Sequence, residues 1–95
     1  MASRFWVGGS GTWDLSDTTH WSATSGGAGG ASVPTSSDTA TFNSLSGGGT
    51  VTLGADVVAS TLTISGSITL TAGSYNPTVS TLVVSGSGSV LKGLS

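Results

Sequence analysis

A chain of 95 residues allows one domain, and one this short hides only about 60 to 65% of its unfolded surface on folding, which leaves a thin stability margin if it stands alone. Charged residues make up 6% of it, against roughly 25% in an ordinary soluble domain; Arg4 and Lys92 are the only fixed cations, and Asp14, Asp17, Asp38 and Asp56 the only carboxylates. A net charge of −2 steers no partner over distance, two cations are too few for a nucleic-acid backbone, and the absence of cysteine removes disulfides as a staple.

From the N-terminus, Arg4-Phe5-Trp6-Val7 reads as a short strand stopped by Gly8-Gly9-Ser10-Gly11, and Thr12-Trp13-Asp14 begins a second piece. Asp14 to His20 is rich in turn formers, and Asp17-Thr18-Thr19-His20-Trp21 has the makings of one helical turn capped by Asp17. A glycine-rich loop over 26–30 ends near Pro34, and Thr39-Ala40-Thr41-Phe42 alternates as a further strand. Next, Thr50-Val51-Thr52-Leu53 is a strand, Gly54-Ala55-Asp56 a turn and Val57-Val58 an apolar bend. Strands are then expected at Thr61 to Ile64, Ser67 to Leu70, Val79 to Val84 and Ser89 to Leu91, with turns at Gly, Ser, Asn76 and Pro77.

One relationship organises the second half. Ser60-Thr61-Leu62-Thr63-Ile64-Ser65-Gly66-Ser67 returns as Ser80-Thr81-Leu82-Val83-Val84-Ser85-Gly86-Ser87, about twenty residues on, and self-similarity at such a period marks a stacked β architecture. One copy cannot bury its apolar face alone, whereas stacked copies can. The chain therefore reads as all-β: a short β-solenoid or a β-sandwich, with a Trp/Gly-rich N-terminal cap over 1–45 and a repetitive β body over 46–95, together one structural domain. The repeat favours the solenoid.

No reaction centre stands out. Asp14, Asp17 and His20 are spaced to converge on a metal if their segment were helical, but turn capping explains them better, because one His is too few for a transition metal and calcium loops take more carboxylates. His20 is the only imidazole, no Gly-x-Ser-x-Gly elbow occurs, and no carboxylate pair is marked out. The glycine-rich segments lack the Gly-Lys-Ser/Thr of a phosphate loop and the third glycine of a dinucleotide turn. No enzyme activity, cofactor or metal is expected.

The candidate interaction residues are apolar: Phe5, Trp6, Trp13, Trp21 and Phe42 in the cap, and Leu62, Ile64, Leu82 and Val84 in the repeat. Exposed, the tryptophans would stack on sugar rings; buried, they would form the core of the cap and plug the open end of the stack. Burial is the expected state, since large apolar side chains are scarce here and each is worth on the order of several kcal/mol when buried. The body carries few of the lysines, prolines or bulges that normally protect strand edges, so its edges are expected to be covered by other subunits. No stretch reaches membrane-span length or forms a signal peptide, so neither a membrane partner nor export is expected.

At Arg4-Phe-Trp-Val-Gly-Gly-Ser-Gly-Thr-Trp13-Asp14, Thr19-His20-Trp21-Ser22, Ser25 to Gly30, Val33-Pro34, Asp38-x-x-x-Phe42, the Gly-Gly-Gly-Thr-Val-Thr-Leu stretch ending at Leu53 and the Leu-Thr-Ile step at Leu62 to Ile64, the chain resembles the N-terminal module of tailed-bacteriophage structural proteins. Similar openings precede β-solenoid passengers of bacterial surface adhesins. The resemblance covers roughly two thirds of the chain and carries over no active residue. It implies a non-enzymatic virion protein of the capsid-decoration or cement type, assembled as a homo-oligomer, a trimer, with capsid or tail proteins as partners. The alternatives it leaves are a tail fibre or spike, and an adhesion module binding surface glycan.

Overall fold

The computed structural model describes residues 2–65, 68–71, 75 and 77–84, and 90–92 for the backbone alone. Among these the regular structure is all strand apart from one 3-10 turn at Ser44–Ser46. The strands are β1 (Ser3–Trp6), β2 (Gly11–Trp13), β3 (Trp21–Ser22), β4 (Thr39–Phe42), β5 (Gly49–Leu53), β6 (Val58–Ile64), β7 (Ile68–Thr71), β8 (Thr78–Val84) and β9 (Val90–Lys92). The expected strands are all present, with ends shifted by a residue or two. Val58 is the exception, since it opens β6 instead of forming a bend. The repeated Ser65-Gly66-Ser67 and Ser85-Gly86-Ser87 turns and the Asn76 turn lie largely outside the described residues.

The strands form two sheets, in the orders β3-β1-β4-β6-β8 and β2-β5-β7-β9. Among the described residues all neighbours are parallel except β1 and β3, and no strand pairs with the next in sequence. From β4 onward the chain alternates between the sheets, so each pair of strands adds one layer beside the last. Parallel in-register pairing puts equivalent residues on top of one another at about 4.8 Å. Ala40, Leu62 and Leu82 therefore form one column and Phe42, Ile64 and Val84 a second. In the other sheet Val51 sits beside Leu70. Both sheets span residue 45, since β4 pairs with β6 and β2 with β5.

Alternation decides which side chains are buried. Val51, Leu53, Leu62, Ile64, Ile68 and Leu70 point into the core, while Thr50, Thr52, Thr61, Thr63, Thr69 and Thr71 line the outside. Threonine suits this surface because its branched Cβ favours the extended backbone and its hydroxyl reaches water. In β6 the alternation breaks at Ser60 and Thr61, both half-buried. There the Ser60 amide and hydroxyl both donate to the Asp38 carbonyl, at 2.7 and 2.9 Å, tying this layer to the one before it. The Ser65 amide likewise donates to the Phe42 carbonyl at 2.7 Å.

Between β2 and β4 the chain makes a long excursion that contains β3. At Asp17 to Trp21 a single hydrogen-bonded turn forms, the Trp21 amide donating to the Thr18 carbonyl at 3.1 Å, and the aspartates bind the backbone that leads into it. Asp14 Oδ1 accepts from the Ser16 and Asp17 amides, and Asp17 Oδ1 from the Thr19 amide. Trp21 then enters β3 and pairs with Trp6. Asp38 closes the excursion: Oδ2 accepts from the Thr35 amide and Oδ1 from the Ala2 amide, both at 2.9 Å.

Candidate functional site

Two regions differ from the uniform body of the stack: an aromatic cluster at its N-terminal end and a bare strand edge at the other. In the cluster, Trp6, Trp13 and Trp21 each retain at most 1% of their accessible surface, and Phe42 retains none. Phe42 is the hub. Its ring centre lies 5.5 Å from that of Trp6 and 5.6 Å from those of Trp13 and Trp21. Trp21 stands edge-on to both Trp6 and Trp13 at 5.2 Å, the arrangement that sets the positive rim of one ring against the negative face of another. β1, β2, β3 and β4 each contribute one aromatic residue to this cluster. Leu62 and Ile64, both fully buried, belong to the same continuous core. Phe5, grouped with these residues from sequence, lies on the opposite side of β1 and is half-buried.

His20 closes the cluster and was not anticipated as part of it. Its ring stacks on Trp6 with centres 4.5 Å apart and planes 7° from parallel. Its Nδ1 lies 2.6 Å from the Val7 carbonyl oxygen, and because a carbonyl only accepts, Nδ1 carries the proton. The ring lies flat against the chain because Gly8 and Gly11 have no side chains. A Cβ on Gly8 would come within 2.7 Å of Nδ1, and one on Gly11 within 2.6 Å of Nε2. Gly8 also has a φ of 90°, a conformation that other residues rarely adopt. The sequence shows the two glycines and the histidine, but only the fold shows that they meet.

This packing leaves the tryptophans no face for a sugar ring. Trp6 Nε1 donates to the Gly9 carbonyl at 2.6 Å, while the Nε1 atoms of Trp13 and Trp21 are buried without a hydrogen-bond acceptor. Asp14, Asp17 and His20 stay engaged with separate backbone partners, and no three His, Cys, Asp or Glu side chains among the described residues could share a metal ion. The backbone amides that bind Asp14 hold its carboxyl below the usual carboxylate range. The Thr19 side chain and amide do the same for Asp17, and the Thr35 and Ala2 amides for Asp38.

Among the described residues the other end has no such covering. β8 is the last strand of its sheet, and its residues Leu82, Val83 and Val84 are 44%, 42% and 44% exposed. Leu62 and Ile64, their column neighbours one layer inward, are fully buried. Leu82 and Val84 are thus core residues by position and surface residues by exposure. Comparison with protein-family models, curated proteins and solved structures finds no match.

Proposed function

We propose that this chain is a non-enzymatic structural protein of a bacteriophage particle, built as a short β-solenoid and acting as a capsid-decoration or cement subunit. The observation that carries this reading is the contrast between a stack sealed at one end by four aromatic side chains and an uncharged strand edge left bare at the other. A body of this kind works by presenting rigid surface, and its effect on a larger particle is additive: each contact made only by the assembled state stabilises that state by mass action. The alternation between sheets and the parallel register support the solenoid, since each layer repeats the one before it along a single axis. The same geometry fits a tail fibre or spike, which extends along such an axis. The sugar-platform reading loses its basis with the burial of the tryptophans.

The test is co-sedimentation of the purified, tagged chain with phage particles induced from a lysogen that carries its gene. A decoration protein pellets with the particles, saturates at a fixed ratio to the major capsid protein, and raises the temperature at which they release DNA. Recovery in the supernatant at every ratio would overturn the proposal, and saturation at only a few copies per particle would move it to the tail.

A further inference from the structure

We infer that Ala2 is the first residue of the working chain, and that its α-ammonium group forms an ion pair with the Asp38 carboxylate, fastening the start of β1 to the turn before β4. The inference stands independently of any virion setting. Its starting point is Asp38, which keeps 8% of its accessible surface and is the one buried carboxylate among the described residues. An aspartate so deeply placed is normally paired with a cation. Among the described residues Arg4 is the cation whose charge acts on it, yet the Arg4 guanidinium spends its hydrogen bonds on the Ser32 carbonyl and hydroxyl and on the Ser3 carbonyl.

The Ala2 nitrogen stands where a contacting cation would, 2.9 Å from Asp38 Oδ1. As a peptide amide it offers one N–H and no charge; as the ammonium of a first residue it offers three N–H groups and a full positive charge. A carboxylate has about four acceptor sites. Asp38 Oδ2 accepts from the Thr35 amide at 2.9 Å and the Thr35 hydroxyl at 3.1 Å, whereas among the described residues Oδ1 accepts from Ala2 alone, so the unfilled site is on the side of the Ala2 nitrogen.

Both partners are held by bonds that do not involve Met1. The Ala2 carbonyl accepts from the Thr39 amide at 2.8 Å, the Asp38 amide donates to the Thr35 carbonyl at 3.0 Å, and the Asp38 carbonyl accepts from the Ser60 amide at 2.7 Å. An ion pair between groups already fixed loses little of the side-chain entropy that weakens pairs at the surface. The step that creates the ammonium is hydrolysis of the Met1–Ala2 peptide bond by an aminopeptidase, and the small side chain of Ala2 puts no bulk beside that bond. One water is consumed: its oxygen ends on the carboxylate of the released methionine, and its two protons on the Ala2 nitrogen.

The intact mass of the protein expressed from Met1 should show the loss of that one residue. Two forms released from a cleavable carrier, one beginning at Ala2 and one keeping Met1 behind a Gly-Ser extension, should then differ in urea denaturation. At pH 7 the unfolding constant of the Ala2 form should be about three- to fivefold smaller. Acetylation of the Ala2 nitrogen should erase the difference, and so should Asp38→Asn made in both forms. Pairing raises the pKa of the ammonium above the roughly 7.7 to 8.0 of a free α-amino group, so the advantage should be complete at neutral pH and fade as pH rises through the raised value. A mass that keeps Met1, equal stability of the two forms, or an advantage that survives acetylation would each overturn the inference. If Asp38→Asn unfolds, the acetylated form, whose side chains are unchanged, decides it.

Discussion

The two ends of this stack are made from equivalent positions and have opposite fates. Phe42, Ile64 and Val84 stand in one column; the first two are fully buried and the third is nearly half exposed. Chemical type does not distinguish Ile64 from Val84. What differs is the presence of a next layer: Ile64 has Val84 on one side and Phe42 on the other, and Phe42 in turn has three tryptophans against it. In a layered protein, burial belongs to the layer more than to the residue, and an end must be finished either by bulky side chains or by another surface.

The sharpest way to break this comparison is to remove the finish. Trp21→Ala empties the space between Trp6, Trp13 and Phe42 and should cost about 3 to 5 kcal/mol, enough to unfold much of a chain this small at room temperature. Urea denaturation followed by circular dichroism would measure it; a loss under 1 kcal/mol would show that the aromatic end is not what holds the stack closed. The same deletion made at two layers sharpens the contrast. Leu62→Ala should cost about 2 to 5 kcal/mol and Leu82→Ala roughly half as much, in dilute solution where the chain is monomeric, because Leu82 keeps 44% of its exposure. Equal costs would mean that the β8 edge is covered within the monomer.

Smaller effects probe how the sealed end is fastened. His20→Ala removes a stacked ring and one hydrogen bond, with an expected loss of about 1 to 2 kcal/mol in the same denaturation assay. Asp38→Asn should cost on the order of 1 kcal/mol at neutral pH, since its carboxylate accepts from the Ala2 and Thr35 amides. Its folded pKa lies below the unfolded value, so its contribution is complete above about pH 4 and fades as pH falls toward the folded pKa. The unmodified chain should therefore lose stability in acid, and the Asn variant should lose less of it. Acrylamide should quench the tryptophan fluorescence weakly throughout, and strong quenching would return the rings to the surface.

The strands were legible in the sequence because threonine alternating with aliphatic residues writes its own two faces, as in Thr61-Leu62-Thr63-Ile64. The copy at Ser80 to Val84 set the register, and the pairing of Leu62 with Leu82 is the one that alignment of the copies predicts. Burial of the tryptophans followed from how few large apolar side chains there are. The rest depended on long-range contacts. β3 is two residues long and acquires its strand character from Trp6 and Phe5 across the fold, with no local pattern to announce it. The role of His20 depends on glycines nine and twelve positions earlier in the chain, and a lone histidine beside turn-forming aspartates looks like a capping neighbour until the layers are in place. The unequal ends had only a partial signal, the gathering of all three tryptophans in the first half.

The connections between paired strands also set an order of events. Each β6 contact with β4 or β8 closes a loop of about twenty residues, whereas β1 reaches β4 only after the long excursion through β3, and loop-closure entropy grows with that separation. The layers of the body are therefore placed to assemble on their own, while β1 and β3, whose Trp6–Trp21 pairing closes only fifteen residues, pair separately and dock onto them last. Refolding would then show backbone dichroism returning ahead of tryptophan fluorescence, and the aromatic end would act as a latch that closes only on a stack already built.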